Sequence, residues 1–417
     1  MREGGKYILG ALGLPRGEGN EVRYQSTRYS LNSGGQLRVS QPTGLTMRAL
    51  YEFYGDYNPV FMTTAKAKEV GWELVKEEFG FSPESISIPE GKTEEQVWET
   101  VERIVKALPQ DTELIIDVTH GFRTLPMLAL QSALLAMEMG KVSIGRIFYG
   151  AREATPGQGE AAPFFDLTPL LEIHSWSRAL GDLRRFSRAD SLLGLLKKQY
   201  LPAFSNDNSA RKPGSLGRLA SRLENLSAAI QTLRAKEIAE ASARLRKSLP
   251  AAERELEHYS QLRAIIPYLQ PSFRELASLA PDGYTEFEGA TAIQALLGTL
   301  RYYLRTHAYT EAITLAREIL VSLCVLLNKG DIFDKDARKA AEYALNPEAP
   351  PQPSPLAACR EQSWQALWSK LRDLRNDINH AGFRESARKA AKAKAGIEDM
   401  GSRVAEFVEG QLEKVSG

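Results

Sequence analysis

The sequence predicts an α/β N-terminal domain built on an open, mainly parallel sheet, followed by an all-α C-terminal domain. Two observations carry this. From Tyr7 to Tyr149, short apolar strand-like runs alternate with amphipathic stretches of helical period, the pattern of βαβ units with helices on both faces of a sheet. After about Asp166 the strand signals vanish, and helical stretches rich in Leu, Ala and Arg take over.

In order along the chain, Tyr7 to Leu14 reads as a buried strand, and Val22 to Leu31 (VRYQSTRYSL) as a hairpin or irregular strand pair. Pro59 to Thr64 is a short strand leading into a helix over Ala65 to Phe79. Ser85 to Ile88 is another strand, and Glu94 to Leu108 another amphipathic helix with Thr93 placed to cap it. Leu114 to Val118 (LIIDV) is the most strand-like run of all, followed by Thr119-His120-Gly121-Phe122-Arg123 and a helix to about Met139. Val142 to Tyr149 closes the series. Residues 170–202 and 216–260 read as helical, with the polar loop 205–217 between them. Helices follow at Gly289 to Leu304, Tyr309 to Asn328 and Trp364 to His380, the last preceded by a proline-rich loop, Asn346 to Pro355, that cannot be helical.

Composition bounds the function. The chain has 417 residues, 43% hydrophobic and 25% charged, with a formal net charge of +1. Those proportions exclude a fibrous or wholly disordered chain, and the balanced charge argues against a general nucleic-acid coating protein. The longest apolar segment, Leu125 to Met139, is interrupted by Gln131, Ser132 and Glu138 and falls short of a membrane span, so no membrane partner and a cytoplasmic location are expected. Cys324 and Cys359 are the only cysteines. One lies in an apolar helical run and the other beside a loop, which fits a reducing compartment and argues against a zinc site.

Two stretches carry candidate chemistry. Arg375-Asn376-Asp377-Ile378-Asn379-His380 has the form Arg, four residues, His. A guanidinium and an imidazole near one phosphate supply fixed positive charge for a pentavalent transition state and a group that moves a proton, without a metal. Trp364, Leu367, Trp368, Leu371, Leu374 and Ile378 form an apolar stripe that places the motif on a helix. On a regular helix, positions five apart diverge by roughly 140°, whereas Arg375 with Asn379 and Asn376 with His380 stack. A helix irregularity or a second copy of the helix is then needed to bring Arg375 and His380 onto one phosphate. Lys370, Arg372, Arg384, Arg388, Lys389, Lys392 and Lys394 make the surroundings basic, which suits an RNA strand or simply a solvated face. Glu318 either orients Arg375 or belongs to an ordinary helix ion pair.

The second stretch is the loop after LIIDV, in the position where open α/β sheets bind ligands. Thr119 and Gly121 can offer backbone N–H groups, and His120 and Arg123 add side-chain donors. The competing reading is a tight turn in which Thr119 caps the helix, Gly121 relieves crowding and Phe122 packs inward. Thr64, ending the second strand, lies on the same rim, with helix capping as its alternative role. Arg16, in the flexible loop LPRGEGNE, is a further candidate to reach a phosphate. Gly91-Lys92-Thr93 lacks the earlier glycine of a P-loop, since Ile86 stands there. His174, His258 and His307 are isolated, so no metal site is expected.

These two stretches, in this order, resemble a known architecture. Asp117 to Pro126 (DVTHGFRTLP) resembles the signature loop of CRISPR-associated CARF sensor domains, which have a Rossmann-like sheet, and Arg375 to His380 is similar to the active-site motif of HEPN ribonucleases. The helix from Tyr309 to Leu320, with its AREIL pattern, also looks like the latter family. The resemblance to type III CRISPR accessory ribonucleases implies a CARF-like sensor domain over 1–169, a helical linker region over 170–260 and a HEPN-like ribonuclease domain over 261–417. It implies Arg375 and His380 as the catalytic pair, with Asn376 beside them. It implies Thr119, His120, Gly121, Phe122 and Arg123 as contacts for a cyclic oligoadenylate, an allosteric activator, with no cofactor. Members act as homodimers on single-stranded RNA, and a two-fold axis suits a ring with an even number of units. The tetra-adenylate is favoured, because each chain has one short sensor loop. The expected reaction is metal-independent attack of the RNA 2′-hydroxyl on the adjacent phosphate. The rival is a nucleotide-sensing regulator whose helical domain binds nucleic acid or protein without cleaving it.

Overall fold

The computed structural model describes residues 1–18, 21–157, 159–186, 188–200, 214–257, 266–348, 357–383, 385 and 387–416. Most of the expected loop 205–217 and of the proline-rich stretch, together with His258 and Arg384, lies outside the described residues. The chain divides into two compact units, Met1–Ile173 and His174–Gly417.

The first unit contains β1 (Lys6–Ala11), β2 (Arg16–Glu18), β3 (Glu21–Arg23), β4 (Tyr29–Ser33), β5 (Gln36–Val39), α1 (Thr46–Phe53), β6 (Asn58–Thr63), α2 (Ala65–Phe79), β7 (Glu84–Ser87), α3 (Glu94–Ala107), β8 (Thr112–Asp117), α4 (Thr124–Glu138), β9 (Val142–Gly150) and β10 (Ala162–Asp166). Eight strands form one sheet in the order β5-β4-β10-β9-β8-β1-β6-β7. Strands β7, β6, β1, β8 and β9 run parallel, as expected of βαβ units. Alternation of side chains explains the two layers. Leu9, Leu114 and Ile116 join the core beneath α3 and α4 with Ile104, Leu125 and Ala129, whereas Ile8 and Ile115 point to the opposite core with Met47, Leu50, Trp72 and Val75. Burial on both faces is why Leu114, Ile115 and Ile116 are apolar in succession rather than alternating with polar residues.

Local signals set the boundaries. The Thr64 hydroxyl accepts from the Ala67 N–H at 3.2 Å to start α2, and Gly80 at φ 71° ends it. Thr93 caps α3 through the Gln96 N–H at 3.3 Å. Three expectations need correction. The sheet does not close at Tyr149, because β10 adds antiparallel to β9, and β4 and β5 extend that edge. Residues 22–31 do not form one hairpin: β3 pairs back to β2, and β4 joins the main sheet. The segment around Arg16 is therefore a strand rather than a free loop.

The second core is wholly helical. It is built by α5 (Pro169–Phe186), α6 (Asp190–Tyr200), α7 (Ser215–Gln231), α8 (Ala235–Leu256), α9 (Ile266–Ala277), α10 (Gly289–Arg305), α11 (Tyr309–Leu327), α12 (Lys335–Leu345), α13 (Gln362–Asn379) and α14 (Ala390–Ser416). One continuous core runs from Trp176 to Val408, so the helices of 170–260 share it with those that follow. Helix α11 is packed against α10, α13 and α14. Cys324 and Cys359, read from the sequence as fitting a reducing compartment, are joined in a disulfide with a Cα–Cα distance of 6.1 Å, which ties α11 to the turn before α13. Among the described residues, no helix is long and apolar enough to cross a membrane.

Candidate functional site

The first unit carries a cavity of about 610 Å³ lined from the carboxyl ends of its parallel strands. Thr64, Thr119, His120, Gly121 and Phe122 all line it. Gly121 adopts φ 99°, and a Cβ there would stand 2.9 Å from the Ala11 Cβ, so the loop crosses close over the end of β1 in a conformation suited to glycine. Thr119 does not cap α4. Its hydroxyl donates to the Asp117 carboxylate and accepts from the Gly150 N–H at 2.8 Å, tying the end of β8 to the end of β9. Asp117 is buried, and its other oxygen accepts from the Thr46 hydroxyl. Phe122 is 55% exposed instead of packing inward. Arg123 stands at the N-cap of α4 without a side-chain cap bond and does not line the cavity. The side chain of Arg16 lies outside the described residues.

His120 is held against α1, its Nε2 accepting from the Thr46 N–H at 3.5 Å. Burial lowers its pKa below the ordinary histidine value, Asp117 opposes this and Arg152 reinforces it, so the imidazole is neutral at pH 7. Positive charge in the cavity comes instead from Arg152, a lining residue whose guanidinium has no carboxylate partner among the described residues. Glu153 beside it is engaged by the Tyr149 hydroxyl at 2.6 Å. Arg152, Tyr149 and Tyr24 were missed from sequence. The strand-end rule that singled out Thr119 after β8 applies equally to Arg152 after β9.

In the second unit, the stripe of α13 is buried at Trp364, Leu367, Trp368, Leu371 and Leu374, and of the motif Asp377 is buried with it while Asn379 and His380 are exposed. With the Asn379 amide oriented to oppose donors and acceptors, its oxygen accepts from Arg375 Nε at 2.9 Å and Nη2 at 3.2 Å. Arg375 Nη1 also donates to Asn376 Oδ1 at 3.3 Å. The helix stays regular through Asn379, and exposed His380 is its C-cap, so no irregularity within α13 turns the two residues toward each other. Beyond it, the N–H of Ala381 bonds Ile378 O at 2.8 Å and that of Gly382 bonds Asp377 O at 3.1 Å, a Schellman ending. Asp377 is buried and accepts from the Arg388 N–H at 3.0 Å.

The surroundings divide into engaged and exposed cations. Arg372 pairs with Glu348 and Asp373, and Arg388 with Asp377, while Lys370, Lys389 and Lys392 are exposed. Glu318 does not orient Arg375: it pairs with Arg317 and Arg338, the ordinary ion-pair alternative. Among the described residues, no group of three or more His, Cys, Asp or Glu is placed to hold a metal ion.

Comparison with known proteins gives two findings. Residues 172–277 match the family described as CRISPR-associated protein MJ1674, second domain. The chain is also 22% identical over 296 residues to the CRISPR-associated protein MJ1674 of Methanocaldococcus jannaschii, a similarity covering 70% of this chain and 41% of the relative. The chain thus spans less than half of that relative's length, and over most of its own length it is similar to a CRISPR-associated protein.

Proposed function

We propose that this chain is a CRISPR-associated ribonuclease that a cyclic oligoadenylate switches on. The observation that carries the reading is the strand-end cavity. It combines the backbone of Thr119 to Gly121, an uncommitted guanidinium at Arg152 and an exposed aromatic at Phe122, which suit phosphate and base respectively. Its volume lies in the range of small-molecule sites. Similarity to a CRISPR-associated protein supports the biological setting.

In the reaction, the 2′-oxygen forms a bond to phosphorus while the bond to the 5′-oxygen breaks, leaving a 2′,3′-cyclic phosphate and a 5′-hydroxyl. The 2′-hydroxyl proton leaves to a base, and the departing 5′-oxygen takes up a proton. His380 performs one of these transfers, and Arg375, steadied by Asn379 and Asn376, stabilises the phosphorane charge. Because α13 is regular through Asn379, we assign the completed site to two copies of the chain meeting across a two-fold axis.

The same regularity favours the second reading, a nucleotide-sensing regulator that binds RNA without cutting it, if the chain acts alone. One experiment separates them: labelled single-stranded RNA incubated with the protein, with and without cyclic tetra-adenylate or hexa-adenylate, in EDTA. Cleavage that needs a ring and yields cyclic-phosphate ends is expected. RNA that is bound and never cut in the presence of either ring overturns the nuclease.

A further inference from the structure

A larger cavity, about 770 Å³, lies in the helical unit between α8, the start of α10 and the turn after α11. It includes neither Arg375 nor His380, and the function proposed above leaves it unused. Three of its features point to a ligand. Tyr284 lines it and is only 8% exposed, yet its hydroxyl has no hydrogen-bond partner among the described residues, an arrangement proteins avoid unless something else satisfies the group. Helix α10 opens onto it with Glu288 at the N-cap and no side-chain cap bond, so first-turn N–H groups have no side chain to cap them. Finally, Lys236, Lys247 and Lys329 line the cavity and form no ion pair among the described residues.

Charge alone does not define the ligand, because four carboxylates also line the space. Glu240 is neutralised by Arg244 at 3.2 Å, whereas Asp331 accepts the Phe333 N–H at 2.9 Å and keeps its charge. That leaves three lysines against Asp331, Glu286 and Glu288. The wall also holds an aromatic pair, Phe287 and Phe333, with ring centroids 6.1 Å apart. Phe333 is 55% exposed, and the Lys236 ammonium lies 5.3 Å from its ring centre. An exposed ring flanked by unpaired cations is the combination that takes a planar base and a phosphate together.

We propose that this cavity binds a nucleoside monophosphate unit, with the base against Phe333 and the phosphate among Lys236, Lys247, Lys329 and the α10 N-terminus. The unit is either a free nucleotide or the 5′-phosphorylated end of an RNA strand. Tyr284 donates its hydroxyl to the ligand.

The test uses Arg152→Ala/His380→Ala protein, which removes the guanidinium proposed to hold phosphate in the strand-end cavity and the imidazole of α13, so that the binding measured does not depend on either group. Adenosine 5′-monophosphate is titrated calorimetrically, with inorganic phosphate as the control. One nucleotide per chain is expected, with affinity falling roughly tenfold in Phe333→Ala and in Lys247→Ala, both exposed positions whose replacement leaves the core intact. Tyr284→Phe should weaken binding while keeping the fold. No saturable binding at millimolar nucleotide, equal affinity for inorganic phosphate, or unchanged affinity in both Phe333→Ala and Lys247→Ala each overturns the proposal. Where the nucleotide binds, tighter binding of 5′-phosphorylated tri-uridylate than of uridine 5′-monophosphate identifies the strand end as the source, and weaker binding identifies the free nucleotide.

Discussion

Asp377 and Arg388, eleven residues apart, are joined twice: one carboxylate oxygen accepts the Arg388 backbone N–H at 3.0 Å and pairs with its guanidinium at 3.4 Å. The aspartate is 5% exposed, so this contact folds the chain after α13 back onto the helix that carries Arg375 and His380. Asp377→Ala should lower stability by about 1.5–3 kcal/mol, the range for hydrogen bonds to a charged group. Asp377→Asn, which keeps an acceptor, should cost less. Urea unfolding midpoints of the two variants check this, and equal midpoints would show that the tie does not hold the segment.

The next residue of interest is Ala381, which ends the helix at φ 52°. A left-handed conformation at an L-residue with a Cβ costs about 1–2 kcal/mol that glycine avoids. Ala381→Gly is therefore expected to stabilise the protein by about 1 kcal/mol, moving the urea midpoint up with an unchanged slope. A drop in midpoint would mean that glycine's freedom in the unfolded chain outweighs the relief.

Where boundaries rest on local chemistry, the sequence was readable: Thr64 opens α2 and Thr93 opens α3. The LIIDV run could be recognised because a central parallel strand is apolar on both faces. Strand β10 could not, since APFFD is short, contains proline and takes its place by pairing at both sides, with β9 and β4. Helix α1 is only eight residues, too short for its period to stand out. Of the cavity, the loop after β8 was legible from its position. Tyr24 and Arg152 reach it from elsewhere in the chain, and such a meeting is a property of the fold. The disulfide was missed because spacing alone does not say that two helical segments approach to 6.1 Å.

Arg375 is held by the Asn379 amide, and this separates positioning from chemistry. If the nuclease reading holds, Arg375→Ala and His380→Ala should each lower the cleavage rate by orders of magnitude with little change in RNA affinity. Asn379→Ala should reduce kcat by roughly tenfold with KM nearly unchanged, because the guanidinium stays present and only loses its orientation. Asn379→Gln, with a longer amide, should recover part of the loss. A KM effect alone would make Asn379 a contact for RNA instead.

The Cys324–Cys359 bond closes a loop spanning a sequence separation of 35 residues. Loop-closure entropy for that size is worth about 3–4 kcal/mol. Protein prepared without reductant should show no free thiol until it is unfolded in reductant, and the Cys324→Ala/Cys359→Ala double variant should unfold at lower urea. Two reactive thiols in the native protein, or an unshifted midpoint, would mean that the pair is not bonded in solution.

His120 links the cavity to pH. Burial lowers its folded-state pKa below 6.5, whereas in the unfolded chain it titrates near that ordinary value. Between the two values the unfolded chain binds the extra proton and the folded chain does not, so stability rises with pH there. The contribution is present in full above the unfolded value and is lost as pH falls from about 6.5 toward the folded pKa. Urea midpoints at pH 7.5 and 5.5 should therefore differ more for the wild type than for His120→Gln, which removes the titrating group; equal differences would place the acid sensitivity elsewhere. An anionic ligand bound between His120 and Arg152 adds negative charge that favours the imidazolium and raises this pKa. Binding should then take up protons, so the apparent calorimetric enthalpy at pH 6 should vary with the ionisation enthalpy of the buffer. In His120→Gln that dependence should shrink while Arg152 still supports binding, and in Arg152→Ala the affinity itself should fall.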